Sequence, residues 1–168
     1  MRIDKLPPIR TTLRDSDHPY LTGAWTPLHE EVTAHDLPLL EGAVPADLDG
    51  VYLRNTENQI HQPLGRYHPF DGDAMIHQLD FRRGQVSYRN RFVRTRCLAA
   101  EQEAGSSLWG GLMDPPGISL RPGFGAHGSL KDSSSTDITV HAGVALSTFY
   151  QCGEAYCLDP EKIGRAHV

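Results

Sequence analysis

Polar and apolar residues alternate with a period of two over residues 74–81: Met75, His77, Leu79 and Phe81 share one face, and Gln78 and Asp80 the other. Arg83-Gly84 interrupts the run, and Val86, Tyr88 and Phe92 then alternate with Ser87, Arg89 and Arg91. Two such runs joined by a short break containing glycine predict a β-hairpin over 74–95. Ahead of it, Asp71-Gly72-Asp73 predicts a turn, with acidic side chains that bond their own backbone and a glycine free to take positive φ. A second hairpin is predicted where Ile138, Val140 and Ala142 alternate with Thr139 and His141, Gly143 turns the chain, and 144–151 returns. Residues 155–158 predict a further short strand that ends at Asp159-Pro160.

The upstream pattern is weaker. Leu37, Leu39 and Leu40 predict a strand over 36–42 with Pro38 at its edge. Residues 44–50 predict a tight turn with one helical turn, and 50–55 a short strand in which Val51 and Leu53 oppose Tyr52 and Arg54. Residues 59–67 read as a loop. Residues 97–104 are rich in helix formers and stop at Gly105, which predicts the one convincing helix, about two turns long. Residues 105–130 hold seven glycines and three prolines and predict a long loop. A loop of that length in a compact domain usually covers something, and Leu108-Trp109 with Leu112-Met113 are candidates for an apolar flap. Residues 1–24, polar and containing proline, predict an arm over the surface with little regular structure, and the globular part begins at Trp25.

Composition narrows the class. The chain has 168 residues, enough for one domain with a core. A net charge of −5 argues against a nucleic-acid partner. No apolar run approaches the ~20 residues of a membrane span, and the charged first fourteen residues lack the apolar stretch of a signal peptide. Cys97, Cys152 and Cys157 are odd in number and lack metal-ligand spacing, which predicts reduced thiols and, with the other features, a cytoplasmic protein. Sixteen glycines and twelve prolines suit a turn-rich β protein.

His68, Asp71, Asp73 and His77 offer nitrogen and oxygen donors of the type that iron or zinc takes. Turn chemistry accounts for both aspartates, and a core histidine with satisfied ring nitrogens accounts for His77, so no metal ligand is assigned among them. Ser133-Ser134-Ser135 reads as a polar turn of capping hydroxyls, with no nucleophile. Gly110-Gly111 and Gly123-x-Gly125 lack the strand–loop–helix setting of a phosphate site. The basic run from Arg82 to Arg96 reads as the solvated face of the first hairpin. His18, His29, His35, His61 and His127 lie in polar or loop contexts and receive no role.

Several stretches carry a resemblance. Phe70-Asp71-Gly72-Asp73, then Met75-Ile76-His77, then a hairpin ending Tyr88-Arg89-Asn90-Arg91-Phe92-Val93-Arg94-Thr95, resemble the N-terminal signature of the carotenoid cleavage oxygenases. That group includes the retinal pigment isomerohydrolase and the lignostilbene dioxygenases. Gly42-x-Val44-Pro45-x-x-Leu48-x-Gly50-x-Tyr52-x-Arg54-Asn55 resembles a further family unit. Thr56-Glu57-Asn58-Gln59 then stands where the family has Gly-Pro-Asn-Pro, a departure that suggests a divergent bacterial-type branch. Lys131-x-x-Ser134-x-Thr136-Asp137-Ile138-x-x-His141-x-Gly143 and Tyr156-x-Leu158-Asp159-Pro160 continue the likeness, which covers roughly residues 25–160.

The resemblance implies an all-β fold: the N-terminal blades of a seven-bladed β-propeller, incomplete in this chain, over 25–162, with a short helix and long loops. It implies Fe(II) on the propeller axis of the full-length protein, held by four histidines. The first of these sits in a Ser-Ala-His-Pro motif downstream of the stretch matched here, so this chain is expected to bind no iron and to hold no catalytic, cofactor or metal residue. His141 matches a family histidine that is not an iron ligand, and His167 lacks the motif and is rejected. The expected activity of the full protein is oxidative cleavage of a carotenoid or apocarotenoid C=C bond to carbonyl products. The partners are an apolar polyene and O2, with peripheral membrane contact. Stilbene-type cleavage is the alternative within the class, and a non-catalytic β-rich binding module the alternative outside it. Residues 163–168 read as translated sequencing adapter, which makes the chain the first third of a longer protein, inactive and poorly soluble when expressed alone.

Overall fold

The computed structural model describes residues 1–14, 17–123, 130–150, 153–161 and 163. In chain order the strands are β1 (Arg2–Lys5), β2 (Val32–His35), β3 (Gly50–Asn58), β4 (Asp73–Arg82) and β5 (Gln85–Phe92). Helix α1 (Arg96–Ala104) follows, then β6 (Asp137–His141), β7 (Val144–Thr148) and β8 (Tyr156–Leu158). The first five strands form an antiparallel sheet in the order β1-β2-β5-β4-β3, and the last three form a second, in the order β6-β7-β8.

Both hairpins are built on the same local chemistry. Arg83 and Gly84 take φ of 50° and 77°, and Ala142 and Gly143 take 48° and 79°. Positive φ at both central residues is the turn whose twist matches that of the flanking strands, so the registers Arg82↔Gln85 and His141↔Val144 close without splay. Helix α1 starts where the Thr95 hydroxyl accepts from the Leu98 amide at 3.0 Å and stops at Gly105, in the left-handed region at φ 70°.

The start of β4 is buried on both faces. Ala74 and Ile76 face the second sheet and pack with Val93, Ala145, Tyr156, Leu158 and Ile163. Met75 faces the other way, into a cluster with Ile60, Phe92 and Leu98 that Ile9 of the arm covers. A strand between two layers loses simple alternation, which is why Asp73 through Ile76 are all buried.

Polar groups stitch the two sheets together. The Ala74 amide donates to the Ser133 carbonyl at 3.0 Å. The Asn55 side-chain amide reaches the Ser134 carbonyl at 2.8 Å and Ser147 Oγ at 3.2 Å. Gln78 donates to the Pro160 carbonyl at 3.1 Å, and the Arg96 amide to the Tyr156 hydroxyl at 3.2 Å.

Several expectations are corrected. The strand before β3 is Val32–His35, and 36–42 is irregular. Asp36, at φ 52°, kinks the chain straight after β2, and Leu39 and Leu40 end up 57% and 96% exposed. The segment 44–50 turns without a helix, through one bond from the Leu48 amide to the Pro45 carbonyl. The arm is more ordered than its composition suggests, because β1 pairs along β2 from Arg2↔His35 to Lys5↔Val32. The arginines of the first hairpin are partnered rather than merely solvated. Arg91 donates to the Val32 carbonyl at 2.7 Å, Arg89 to the Glu161 carbonyl at 2.9 Å, and Arg94 pairs with the buried Glu31. Ser133, Ser134 and Ser135, read as a polar turn of capping hydroxyls, are at most 1% exposed.

Gly72 is needed for space and not for conformation. Its φ is −69°, but a Cβ there would lie 2.6 Å from the Asn58 amide nitrogen, a backbone atom that cannot give way alone. Gly72→Ala is therefore expected to lower stability by about 1–3 kcal/mol, the usual cost of overpacking. Chemical denaturation at constant m-value is the check, and an unchanged midpoint would contradict the close approach.

Candidate functional site

The four residues singled out as a possible ligand set are divided among three local networks. His68 and Asp71 belong together in a capping box around the short 3-10 turn Pro69–Asp71. The His68 ring accepts from the Phe70 amide at 3.2 Å, and Asp71 Oδ2 accepts from the His68 amide at 2.8 Å. Asp71 Oδ1 accepts from the Leu112 amide at 2.8 Å, and burial raises this carboxyl above its ordinary range. His77 sits in mid-strand with both ring nitrogens bonded, Nε2 to Thr56 Oγ1 at 2.9 Å and Nδ1 to the Tyr88 hydroxyl at 2.7 Å. Thr56 directs its hydroxyl hydrogen to the Met75 carbonyl, so His77 Nε2 is assigned as donor and Nδ1 as acceptor. Its lone pair is thus occupied, and burial, then Arg54, lowers its pKa.

Asp73 enters a different arrangement, which the sequence did not suggest. Its Oδ2 lies 2.7 Å from Lys131 Nζ, and Glu101 Oε2 lies 2.7 Å from the same nitrogen. The two carboxylate side chains are 1% exposed and that of Lys131 12%. Burial works against the lysine charge, yet the two carboxylates outweigh it and hold the ammonium firmly protonated. Burial is the larger influence on Asp73, ahead of the attraction of Lys131 and the repulsion of Glu101, and pushes it up to about 6. Among the described residues no side-chain partner reaches Asp73 Oδ1, in keeping with a carboxyl that takes up a proton readily. The helix pattern carried a signal for Glu101: it lies three and four residues after Leu98 and Cys97, on the same buried face.

The long loop is pinned over this triad. The Leu108 amide donates to Glu101 Oε1 at 2.9 Å, Gly111 to Asp114 Oδ2 at 3.1 Å, and Leu120 to the Leu108 carbonyl at 2.8 Å. Trp109 is 3% exposed against Cys97 and Ala100, whereas Met113 is 55% exposed, so of the apolar pairs the Trp109 end is the cover. A Cβ on Gly111 would meet Asp71 at 2.1 Å, and one on Gly110 would meet Ile118 at 2.3 Å; the two glycines serve close approach. The cavity left beneath, about 30 Å³, is lined by Gln59, Asp71, Glu101, Trp109, Lys131 and Ser133. That is room for a water or two and for no organic substrate.

Other nucleophile candidates are disabled by their surroundings. Burial pushes the Cys97 thiol up to about 12, and its sulfur accepts from the Asp132 amide at 3.3 Å. The Ser134 and Ser147 hydroxyls bond each other at 2.9 Å, and Ser133 bonds Ser135 at 3.1 Å. His141 is exposed on β6. Cys152, Gly125, His127 and His167, with all of 164–168, lie outside the described residues. Among the described residues no group of three or more His, Cys, Asp or Glu side chains is placed to hold a metal ion. Among the same residues no helix is long and apolar enough to cross a membrane.

The triad has two carboxylates and one ammonium, so its members are not equivalent. Lys131→Met leaves two buried carboxylates facing each other and is expected to cost about 3–5 kcal/mol. Asp73→Asn leaves the Lys131–Glu101 pair intact and is expected to cost much less. The folded pKa of Asp73 is raised, so its contribution is present below its unfolded value near 3.9 and is lost as pH rises through about 6. Asp71, Asp132 and Glu57 are raised in the same direction, chiefly by burial. Asp73→Asn should therefore flatten, without abolishing, the decline in stability between about pH 4 and 6. Urea melts of both variants across that window are the check, and equal losses for the two would contradict the asymmetry.

Comparison with known proteins gives a consistent answer. The family model described as retinal pigment epithelial membrane protein matches residues 25–166. A carotenoid cleavage oxygenase of Mycobacterium tuberculosis is 39% identical over 135 residues, 79% of this chain and 24% of that protein. An apocarotenoid-15,15′-oxygenase of Synechocystis is 33% identical over 130 residues, 74% of this chain and 26% of its own length. Among solved structures, the Pseudomonas brassicacearum lignostilbene dioxygenase superposes with a TM-score of 0.77 at 25% identity, over 92% of this chain and 31% of that one. The chain thus spans about a quarter of the length of the curated relatives it matches. Its two stacked antiparallel sheets are blades of the β-propeller on which these oxygenases are built. The chain belongs to the carotenoid oxygenase family, that of the retinal pigment epithelial membrane protein.

Proposed function

We propose that this chain is the N-terminal part of an oxygenase that cleaves a C=C bond of a carotenoid or apocarotenoid to two carbonyl products. The observation that carries this reading is the 39% identity over 135 residues to a carotenoid cleavage oxygenase. In this reading the chain supplies scaffold. The triad locks the first blade to helix α1, the seam at Asn55 and Ser134 stacks the second blade on the first, and the remainder of the full-length protein supplies the Fe(II) ligands and the O2 site. Support for the scaffold role comes from the histidines, whose nitrogens are engaged in local bonds at His61 and His77. A polyene substrate is insoluble in water, so the reading includes a cytoplasmic enzyme whose whole length meets a lipid surface to load it. A lignostilbene-α,β-dioxygenase of Sphingomonas paucimobilis, 32% identical over 130 residues, makes a stilbene the second substrate candidate.

The test is an assay of two proteins: the 168-residue chain, and the product of the whole gene recovered by sequencing its locus. Each is loaded with Fe(II) and given an apocarotenal or a hydroxystilbene, and loss of substrate absorbance and formation of carbonyl products are followed. The whole product is expected to cleave the apocarotenal, and the chain alone to match the Fe(II)-only control. Turnover by the chain alone would overturn the scaffold role. Binding of the polyene by the whole product without cleavage would favour a binding module, and cleavage of the stilbene alone would change the substrate class.

A further inference from the structure

We propose that His61 is a pH-sensitive latch for the N-terminal arm: neutral, it holds residues 9–14 against the core, and protonated, it releases them. The inference stands on a hydrogen-bond network whose polarity is fixed by geometry and is independent of the proposed reaction.

Gln102, on the exposed side of α1, is clamped by the arm. The Arg10 amide donates to Gln102 Oε1 at 3.0 Å, and Gln102 Nε2 donates to the Arg10 carbonyl at 2.7 Å. A backbone N–H donates only, so the oxygen and nitrogen of this side-chain amide are assigned without ambiguity. The same Gln102 Nε2 lies 2.9 Å from His61 Nε2. An amide nitrogen has no lone pair to offer, so His61 Nε2 must be the acceptor, and the ring proton must sit on Nδ1. Nδ1 then donates to Thr12 Oγ1, 2.9 Å away and also on the arm. His61 itself is 1% exposed.

A second proton can enter only at Nε2. It would set an N–H against the N–H of Gln102, turning an attraction into a repulsion inside a buried contact. Gln102 can escape only by leaving Arg10. The groups facing the ring are Glu101 and Gln102 on α1, Lys131 beside them, Arg10 on the arm and His29. Burial is the main influence against protonation; Lys131, Arg10 and His29 also oppose it, and Glu101 favours it. Glu101 is already matched by Lys131 at 2.7 Å, so among the described residues no free anion faces the ring to stabilise an imidazolium.

The rest of the grip on residues 9–14 is slight. Thr11 Oγ1 donates to the Ile60 carbonyl at 2.6 Å, the Thr12 and Leu13 amides reach the same carbonyl at 3.3 Å, and the Arg14 amide reaches Gln62 at 3.4 Å. Ile9 is the arm's contribution to the cluster of Ile60, Met75, Phe92 and Leu98. Release would uncover that cluster while leaving the β4–β5 ladder untouched. In linkage terms a histidine with a depressed pKa contributes stability above its unfolded value of about 6.5 and loses it as pH falls. Asp73 acts in the opposite sense over a neighbouring window, so a global melt would blur the two and a local readout is required.

The experiment is amide exchange read by mass spectrometry on the product of the whole gene, in peptides covering 9–14 and 73–82, at about pH 7.5 and 5.5, corrected for intrinsic exchange. The wild type is expected to lose about tenfold or more of its protection in the 9–14 peptide, with the slow amides of β4 unchanged. His61→Gln should remove the pH dependence. Gln102→Glu loses the donor to the Arg10 carbonyl, so it should lower arm protection already at pH 7.5, and because a carboxylate accepts from Nε2–H it should raise the His61 titration midpoint. Arm protection that is the same at both pH values overturns the latch. So does a loss that persists in His61→Gln, or one shared equally by β4, which is acid unfolding. Should a substituted chain fail to fold, the wild-type contrast between arm and β4 still decides.

Discussion

One buried ammonium decides how the parts of this chain are joined. Lys131 lies on the segment leading into the second sheet, Asp73 at the first residue of β4, and Glu101 in the last turn of α1. An unpaired charge at that depth would cost several kcal/mol, so the lysine needs a carboxylate partner there, and two converge on it. That requirement fixes the helix against the sheet and brings the 131–135 segment alongside β4. There the Ala74 amide bonds the Ser133 carbonyl and the serines close on Asn55 and Ser147. The apolar cluster of Ile76, Val93, Tyr156 and Leu158 supplies the driving force, which is non-directional, and the polar groups select one way of stacking the sheets.

The loop over the triad and the arm around it follow from the same arrangement. Glu101 divides its two oxygens between Lys131 and the Leu108 amide, so the helix that carries the charge also anchors the loop. One residue further, Gln102 binds the arm. Adjacent residues of a helix point about 100° apart, which lets a single turn serve the interior and the surface strap together.

Much of this was legible in the sequence, for identifiable reasons. The hairpins were visible because Arg83-Gly84 and Ala142-Gly143 are turn chemistry set between period-two runs, and α1 because Gly105 marks its end. The strand 32–35 was missed because its burial comes from contacts on both sides, which suppress alternation; the leucines after it looked more strand-like but follow a kink at Asp36. Asp73 read as turn chemistry because its partners lie 28 and 58 residues downstream, at Glu101 and Lys131, and no local pattern reports such a distance. The burial of the three serines was hidden for the same reason: Ser133 bonds Ala74 on β4, and Ser134 bonds Asn55 on β3 and Ser147 on β7. His61 sat in what reads as a loop, and only the arm folding back over it shows that the ring is enclosed.

The central claim is that two blades, joined by the triad and the serine seam, form a single cooperative unit. Native-state amide exchange under mild denaturant tests this directly by comparing the slowest amides of β4 with those of β7. The account predicts that both open with the same free energy and the same dependence on denaturant. If the amides of β7 open at a much lower free energy than those of β4, the second sheet is only loosely attached and the account is wrong.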